Sequence, residues 1–282
     1  MHLKTTRRKF SKVVGSGILG TAAIGFYTWQ IEPKWVEYKK ISMAIENLPE
    51  SLVGEYLVHL SDIHIGPRVD SNYIINTLKK VSEIKPRIIV ITGDFVSYEN
   101  DWVLEKLNKV FNNFNNMAPR IYACLGNHDY GDGWSDLLVA DKIKNILLRN
   151  NIRLLNNQID TYQGLQIAGF EDYWSPNFSP EKVIKNIDPN LSCISLCHNP
   201  DAIDHKLFLE YKGWILAGHT HGGQCKPPFL SPPILPVKNK LYTAGKFKVN
   251  EKLLYINRGL GHLLQVRFNV RPEVTIFKLQ KA

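Results

Sequence analysis

Arg120-Ile121-Tyr122-Ala123-Cys124-Leu125-Gly126-Asn127-His128-Asp129 runs from an apolar stretch straight into an amide, an imidazole and a carboxylate. The same join recurs four more times. Asp62-Ile63-His64 follows Glu55–Leu60, Gly93-Asp94 follows Arg87–Thr92, His198 follows Leu191–Leu196, and Gly218-His219-Thr220-His221 follows Gly213–Ala217. Each apolar stretch reads as a β-strand, and strand ends are where open α/β sheets present functional groups. The five segments supply carboxylate, amide and imidazole donors, a mixed set that suits divalent Mn, Fe, Zn or Co. Alone, Asp62 and His64 read as turn or capping residues, and His219 with His221 as solvated side chains. Five such segments in order, each at a strand end, point to a two-metal site.

Between the strands the apolar period changes to that of helices. Ile74, Ile75, Leu78 and Val81 share one face of a helix expected from about Ser71 to Ile84, which Pro86 ends. Asp101–Asn115 repeats the pattern, Asp136–Arg149 is a third helix, and shorter ones are expected near Pro180–Ile187 and after Pro200. Leu253–Asn257, Gln265–Asn269 and Val274–Lys278 then read as consecutive antiparallel strands. The early alternation predicts a mostly parallel sheet and the tail a second, antiparallel one, giving an α/β sandwich of two sheets flanked by helices. A chain of 282 residues fits one large domain. Residues 1–30 form a basic and apolar leader, 31–51 an extended lead-in, and 52–282 the domain.

The ordered set Asp-x-His, Gly-Asp, Gly-Asn-His-Asp, His and Gly-His-x-His resembles the calcineurin-like metallophosphoesterase superfamily. The leader, the Gly218–Gln224 run and the tail from Arg258-Gly259-Leu260-Gly261 through Arg271-Pro272-Glu273 are similar to the bacterial YkuE/YaeI-type phosphodiesterases, with UDP-2,3-diacylglucosamine hydrolases close by. The resemblance implies a four-layer α/β/β/α fold and two divalent ions. One would be held by Asp62, His64, Asp94 and His221, the other by Asp94, Asn127, His198 and His219, with Asp94 shared. A water between the ions, losing its proton near neutral pH, would be the nucleophile. His128 would contact a phosphoryl oxygen or protonate the leaving oxygen. Asp129 would orient its ring, as carboxylates behind functional imidazoles do. The superfamily often has a further acid where this chain has Ser97. Arg68, after Gly66-Pro67, is a candidate for substrate phosphate; His59 reads as a core imidazole.

The net charge of +9, spread along the chain without a nucleic-acid-binding module, favours a phosphorylated substrate or a membrane surface over nucleic acid. The four cysteines form no CxxC pair and read as packing residues. Met1–Lys12 carries five basic residues and no acid, and Val13–Trp29 no charge, the pattern of an export signal or uncleaved anchor. Thr6–Lys12 resembles the twin-arginine export signal, with Ser11 where an apolar residue is usual, making the export machinery an expected partner. The basic flank predicts a domain outside the cytoplasmic membrane; an amphipathic segment on the cytoplasmic face is the alternative. Lys226–Pro236 (KPPFLSPPILP) must be an extended loop, since prolines at this density exclude helix and central strand. Its Phe229, Leu230, Ile234 and Leu235 either cover a sheet edge or meet acyl chains. The expected function is hydrolysis of phosphodiester or pyrophosphate bonds in a lipid or envelope precursor. The alternatives are a UDP-2,3-diacylglucosamine hydrolase and, from another class, a non-catalytic scaffold.

Overall fold

A computed structural model describes residues 7–282 apart from 99, 116 and 210, so the start of the leader, with Lys4, lies outside the described residues. Two six-stranded sheets face each other. The first contains β1 (Glu37–Ile45), β2 (Tyr56–Ser61), β3 (Ile88–Thr92), β4 (Arg120–Cys124), β5 (Arg153–Leu154) and β12 (Glu273–Lys281), in the order β1-β12-β2-β3-β4-β5. The second contains β6 (Gln158–Tyr162), β7 (Leu165–Gly169), β8 (Ser192–Leu196), β9 (Gly213–Ala217), β10 (Gly245–Val249) and β11 (Lys252–Ile256), in the order β10-β11-β9-β8-β7-β6.

Strand alternation sorts the apolar side chains into layers. In β3, Ile88 and Val90 point between the sheets, and Ile89 and Ile91 point outward under the helices α2 (Ser71–Glu83), α3 (Asp101–Phe111) and α4 (Leu137–Arg149). Between the sheets, Leu57, Tyr122 and Phe277 meet Ile167, Leu196, Trp214 and Tyr255. The outer face of the second sheet packs Ile215, Ala217 and Leu254 against α5 (Glu181–Ile184) and the short helical turns at Pro200–Asp204 and Lys206–Phe208. This is the expected four-layer α/β/β/α arrangement, with its last helical layer reduced to single turns. The helix expected after Pro200 is a 3-10 turn.

The tail departs from expectation. Gln265–Asn269 is not a strand, and the last two strands do not share a sheet. β11 runs parallel to β9 in the second sheet. β12 crosses back into the first, antiparallel to β2 and parallel to β1. The second sheet is therefore mostly parallel, with antiparallel edges at β6 and β10. The extended lead-in is β1, whose partner arrives only at the chain's end. A pattern read along the sequence cannot show which sheet a strand joins.

The leader forms helix α1 (Arg7–Phe26), which continues through turns at Tyr27–Ile31 and Glu32–Lys34 into β1. Val13, Ile18, Leu19, Ile24 and Phe26 are exposed. Among the described residues no helix is long and apolar enough to cross a membrane; four glycines dilute the apolar stretch of α1. The four cysteines are free, two of them fully buried, as their packing role requires.

Phe277 is completely buried between the sheets, with ring centroids 5.7 Å from Trp214 and 5.2 Å from Tyr255. Phe277→Ala should cost about 3–5 kcal/mol, read as a lowered urea midpoint.

Candidate metal centre

The loops after β2, β3, β4, β8 and β9 converge at one end of the sandwich. Backbone bonds stitch them together: Asp62 N–H to Gly93 O (3.0 Å), His64 N–H to Asp94 O (2.9 Å) and Gly218 N–H to His198 O (3.0 Å). The approach is too close for side chains at several points. A Cβ on Gly218 would stand 1.7 Å from Ser61 Oγ, and one on Gly126 2.3 Å from Asp94 Oδ1. Asp62, His64, Asp94, His219 and His221 all have φ between 48° and 69°. Non-glycine residues keep that conformation only where surrounding structure enforces it, and such strain gathers at functional sites.

Two clusters result. Asp62, His64 and His221 each bring one donor atom within 4.8 Å of the others, and so do Asp94, His198 and His219. His64 Nε2 and His221 Nε2 are 3.1 Å apart, and His221 Nε2 lies 3.3 Å from Asp62 Oδ1. His219 Nδ1 and His198 Nε2 are 3.2 Å apart. Asp94 Oδ2 touches both clusters, 3.4 Å from His64 Nε2 and 3.3 Å from His198 Nε2. Two ligands about 2.1 Å from one ion, at roughly 90–110° to each other, stand about 3.0–3.4 Å apart. The donor spacings fit divalent ions.

The surroundings fit as well. Asn127 Oδ1 is buried and accepts no hydrogen bond from the protein. His198 Nδ1–H donates to Thr92 O (2.8 Å) and His219 Nε2–H to Pro236 O (2.9 Å), leaving His198 Nε2 and His219 Nδ1 as the nitrogens turned inward. Asp62 accepts from His219 N–H (3.0 Å) and Ser61 Oγ–H (2.5 Å). Burial alone would raise the Asp62 and Asp94 carboxyls, but the histidines around them outweigh it and hold both below the ordinary range. Burial also disfavours a charged His198, yet Asp94 beside it holds that ring above its usual value. Burial lowers His64, and burial with the His198 charge pushes His219 down to about 4.

His128 stands at the edge of the first cluster, its ring centroid 5.2 Å from that of His64. Its backbone N–H donates to Asp94 Oδ1 (3.0 Å), and its ring Nδ1–H to Ser97 O (3.1 Å). The expectation that Asp129 orients this ring is not met. Asp129 Oδ1 accepts from Phe95 N–H (2.8 Å) and Val96 N–H (3.3 Å), and Oδ2 from Gly126 N–H (2.9 Å). The side chain turns inward because three backbone donors there have no other acceptor, and it ties the Asp94 loop to the Asn127 loop. Burial and the Asp94 charge push its carboxyl up to about 8. The ring is oriented by the Ser97 carbonyl, three residues after Asp94. Arg68 is exposed, and its Nη1–H is engaged by Leu263 O (2.8 Å). His59 is a buried core imidazole bonded to Thr92 Oγ1 (2.8 Å).

Three further contributors surround the clusters, and of them sequence reasoning missed Trp174. Trp174 lies edge-on to His219, with ring centroids 4.7 Å apart. Asp172, fully buried, has an unpartnered Oδ2 near His198. The glycine-rich segment after β11 covers the first cluster: Gly261 N–H donates to Asp62 O (2.7 Å), and a Cβ on Gly259 would stand 2.7 Å from Asp62 Cβ. Asp172, after Gly169-Phe170-Glu171, and the glycine-rich loop were readable in the sequence as segments able to line the site.

Two buried donor clusters sharing a carboxylate, at the strand ends of a two-sheet sandwich, define a metal-dependent phosphoesterase. Residues 56–223 match the calcineurin-like phosphoesterase family, and the chain belongs to that family and is a hydrolase. It is 29% identical to phosphodiesterase YaeI of Escherichia coli, over 97% of this chain and 99% of that protein. It is 30% identical to the uncharacterized metallophosphoesterase YkuE of Bacillus subtilis, over 98% of each chain. It is 26% identical to UDP-2,3-diacylglucosamine pyrophosphatase LpxG of Chlamydia trachomatis, over 89% and 92%.

Removing the Asp129 carboxylate would strand buried backbone N–H groups, at about 1–3 kcal/mol for each left unsatisfied. Asp129→Ala should therefore lose both thermal stability and bound metal, read by thermal unfolding and elemental analysis. Unchanged stability and metal content would return Asp129 to a role on the His128 ring.

Proposed function

We propose that the chain hydrolyses phosphodiester or pyrophosphate bonds in an amphiphilic, phosphorylated substrate at a membrane surface. Asp62, His64, His221 and Asp94 would hold one ion, and Asp94, Asn127, His198 and His219 the other. The observation that carries this reading is the single oxygen Asp94 Oδ2 standing between the two clusters. Two bound divalent cations supply Lewis acidity toward phosphoryl oxygens and a water acidic enough to attack near neutral pH. The P–O bond to the leaving group breaks as a bond from water oxygen to phosphorus forms. The His128 Nδ1–H bond to Ser97 O fixes that ring and assigns exchange with substrate to Nε2. Nε2 donates a proton to the leaving oxygen, a contribution of typically 10²–10⁴-fold. All seven metal donors and His128 are present, which argues against a scaffold.

The rim supports the membrane part. Thr28 O accepts from Arg267 N–H (2.9 Å), which brings the end of the leader to the segment 263–268. That segment also pairs with the Pro-rich loop through Lys226 N–H to Phe268 O (2.9 Å), and Gln224 Nε2 donates to Leu264 O (2.9 Å). Trp29, Phe229, Leu230, Ile234 and Leu264, on segments tied together by these bonds, are all exposed, and apolar exposure gathered in this way marks lipid or protein contact. Leu235 is buried, so the loop is partly a cover and partly a free apolar edge. The basic leader supports an extracytoplasmic domain, delivered through the twin-arginine route. A reporter at the carboxyl terminus active only in the cytoplasm would reverse that side and favour a UDP-2,3-diacylglucosamine hydrolase, the activity in the name of one relative. The donor set suits Mn, Fe, Zn or Co alike, and Mn is the first to be tried in reconstitution.

His128→Ala should keep both ions by elemental analysis while kcat falls about 10²–10⁴-fold. Asp94→Asn should lose more metal than His64→Ala or His198→Ala; an Asn variant holding two ions would remove the bridge. Changing Phe229 and Leu230 together to Ser should lower kcat/KM for a diacyl phosphodiester and spare a small soluble diester. Equal losses on both substrates would make the loop structural.

A further inference from the structure

We infer that Trp134 and Trp174 form a stacking platform that binds the planar ring of a nucleoside phosphate while its phosphate lies at the metal centre. The inference rests on the hydrolytic reading of that centre. The two indoles are stacked, with centroids 4.8 Å apart and planes 20° from parallel. Trp174 is in turn edge-on to His219, a donor of the second cluster, at 4.7 Å and 82°. Trp134 is thus one ring beyond the indole that touches that donor.

The pair is not part of any hydrophobic core. Trp134 is 41% exposed. It lies six residues after His128, in a turn where Gly131 and Gly133 have φ of 65° and 74° and Trp134 itself 57°. A left-handed conformation is a genuine outlier for so bulky a residue, and persists where surrounding structure enforces it at functional sites. The turn carries the indole from the β4–α4 connection of the first sheet onto the β7–α5 connection of the second, so the stack joins the two sheets across the mouth of the site. Indole faces bind every base by stacking, which needs no hydrogen-bond code.

One cation lies in the neighbouring segments. Lys238 Nζ stands 5.8 Å from the ring centroid of Tyr173, next in sequence to Trp174. It follows Pro236, whose carbonyl fixes His219, by two residues. The segment that fixes His219 thus also brings a cation to the residue before Trp174, and a cation favours a phosphorylated ligand.

The test uses the full chain loaded with Mn²⁺ and compares UMP with ribose 5-phosphate by calorimetry. Wild type should prefer UMP by about 5- to 100-fold. Trp134→Ala should erase the preference without changing ribose 5-phosphate affinity, and Trp134→Phe should restore most of it. Equal affinities in wild type, or a preference that survives in Trp134→Ala, would overturn the platform. In turnover, Trp134→Ala should raise KM for a UDP-linked substrate and leave a ring-free diacyl phosphodiester unaffected. An equal loss on the ring-free substrate would also overturn it, in favour of an acyl contact or a structural role. Should wild type turn over neither substrate, the hydrolytic reading fails and the UMP comparison still decides the platform.

Discussion

Asp94 is buried among imidazoles from three separate loops, with Oδ2 facing His64 and His198 and Oδ1 held by the His128 N–H. A carboxylate in that position is expensive unless its charge is met. Partial neutralisation comes from the surrounding histidines, and bound cations would complete it. Much of the local architecture serves this one placement. Asp94 takes a left-handed conformation, Gly93 and Gly126 give up side chains to let the loops meet, and Asp129 fastens Phe95, Val96 and Gly126 from behind. Because the donors are buried before any ion arrives, much of the affinity for metal is preorganisation already set by folding. The same burial leaves Asn127 Oδ1 unpartnered, so the apoprotein carries a stability cost that ion binding partly relieves.

The donor set was legible because strand ends are a local property. An apolar run followed by Asp-x-His or Gly-Asp says where a strand stops and which side chain comes next, and α/β sheets place such ends together. The three large helices were legible for the same reason, since an apolar period of 3.6 needs no knowledge of the partner. What failed was long-range. Nothing in Glu273–Lys281 tells that it returns to the first sheet beside Glu37–Ile45, because the pairing joins the two ends of the domain. The role of Asp129 failed for a related reason: its acceptors are satisfied by backbone N–H groups from Phe95 and Val96, over thirty residues earlier. Backbone donors have no signature in a sequence. Ser97 was noticed only as a missing acid, whereas its contribution is a carbonyl that any residue carries.

The segment after β11 shows how the chain secures a loop that has no regular structure. Arg267 is fully buried, and burial pushes its guanidinium down to about 10. Its Nη2 donates to the carbonyls of Arg258, Gly259 and Gly261 (3.0, 3.2 and 2.8 Å), and Nη1 to Val270 O (3.2 Å). A planar cation with five donors can satisfy several loop carbonyls at once, which a lysine cannot. Those carbonyls belong to the turn that packs Gly259 and Gly261 against the Asp62–His64 segment. The backbone N–H of the same arginine donates to Thr28 O at the end of the leader, while the neighbouring Val270 N–H donates to buried Glu32 (2.6 Å). One buried arginine therefore fixes both the cover over the first cluster and the point where the leader meets the domain. The leader is consequently not a loose tether: its carboxyl end is built into the shell of the metal centre, and whatever surface the leader occupies sets how the mouth of that centre is turned.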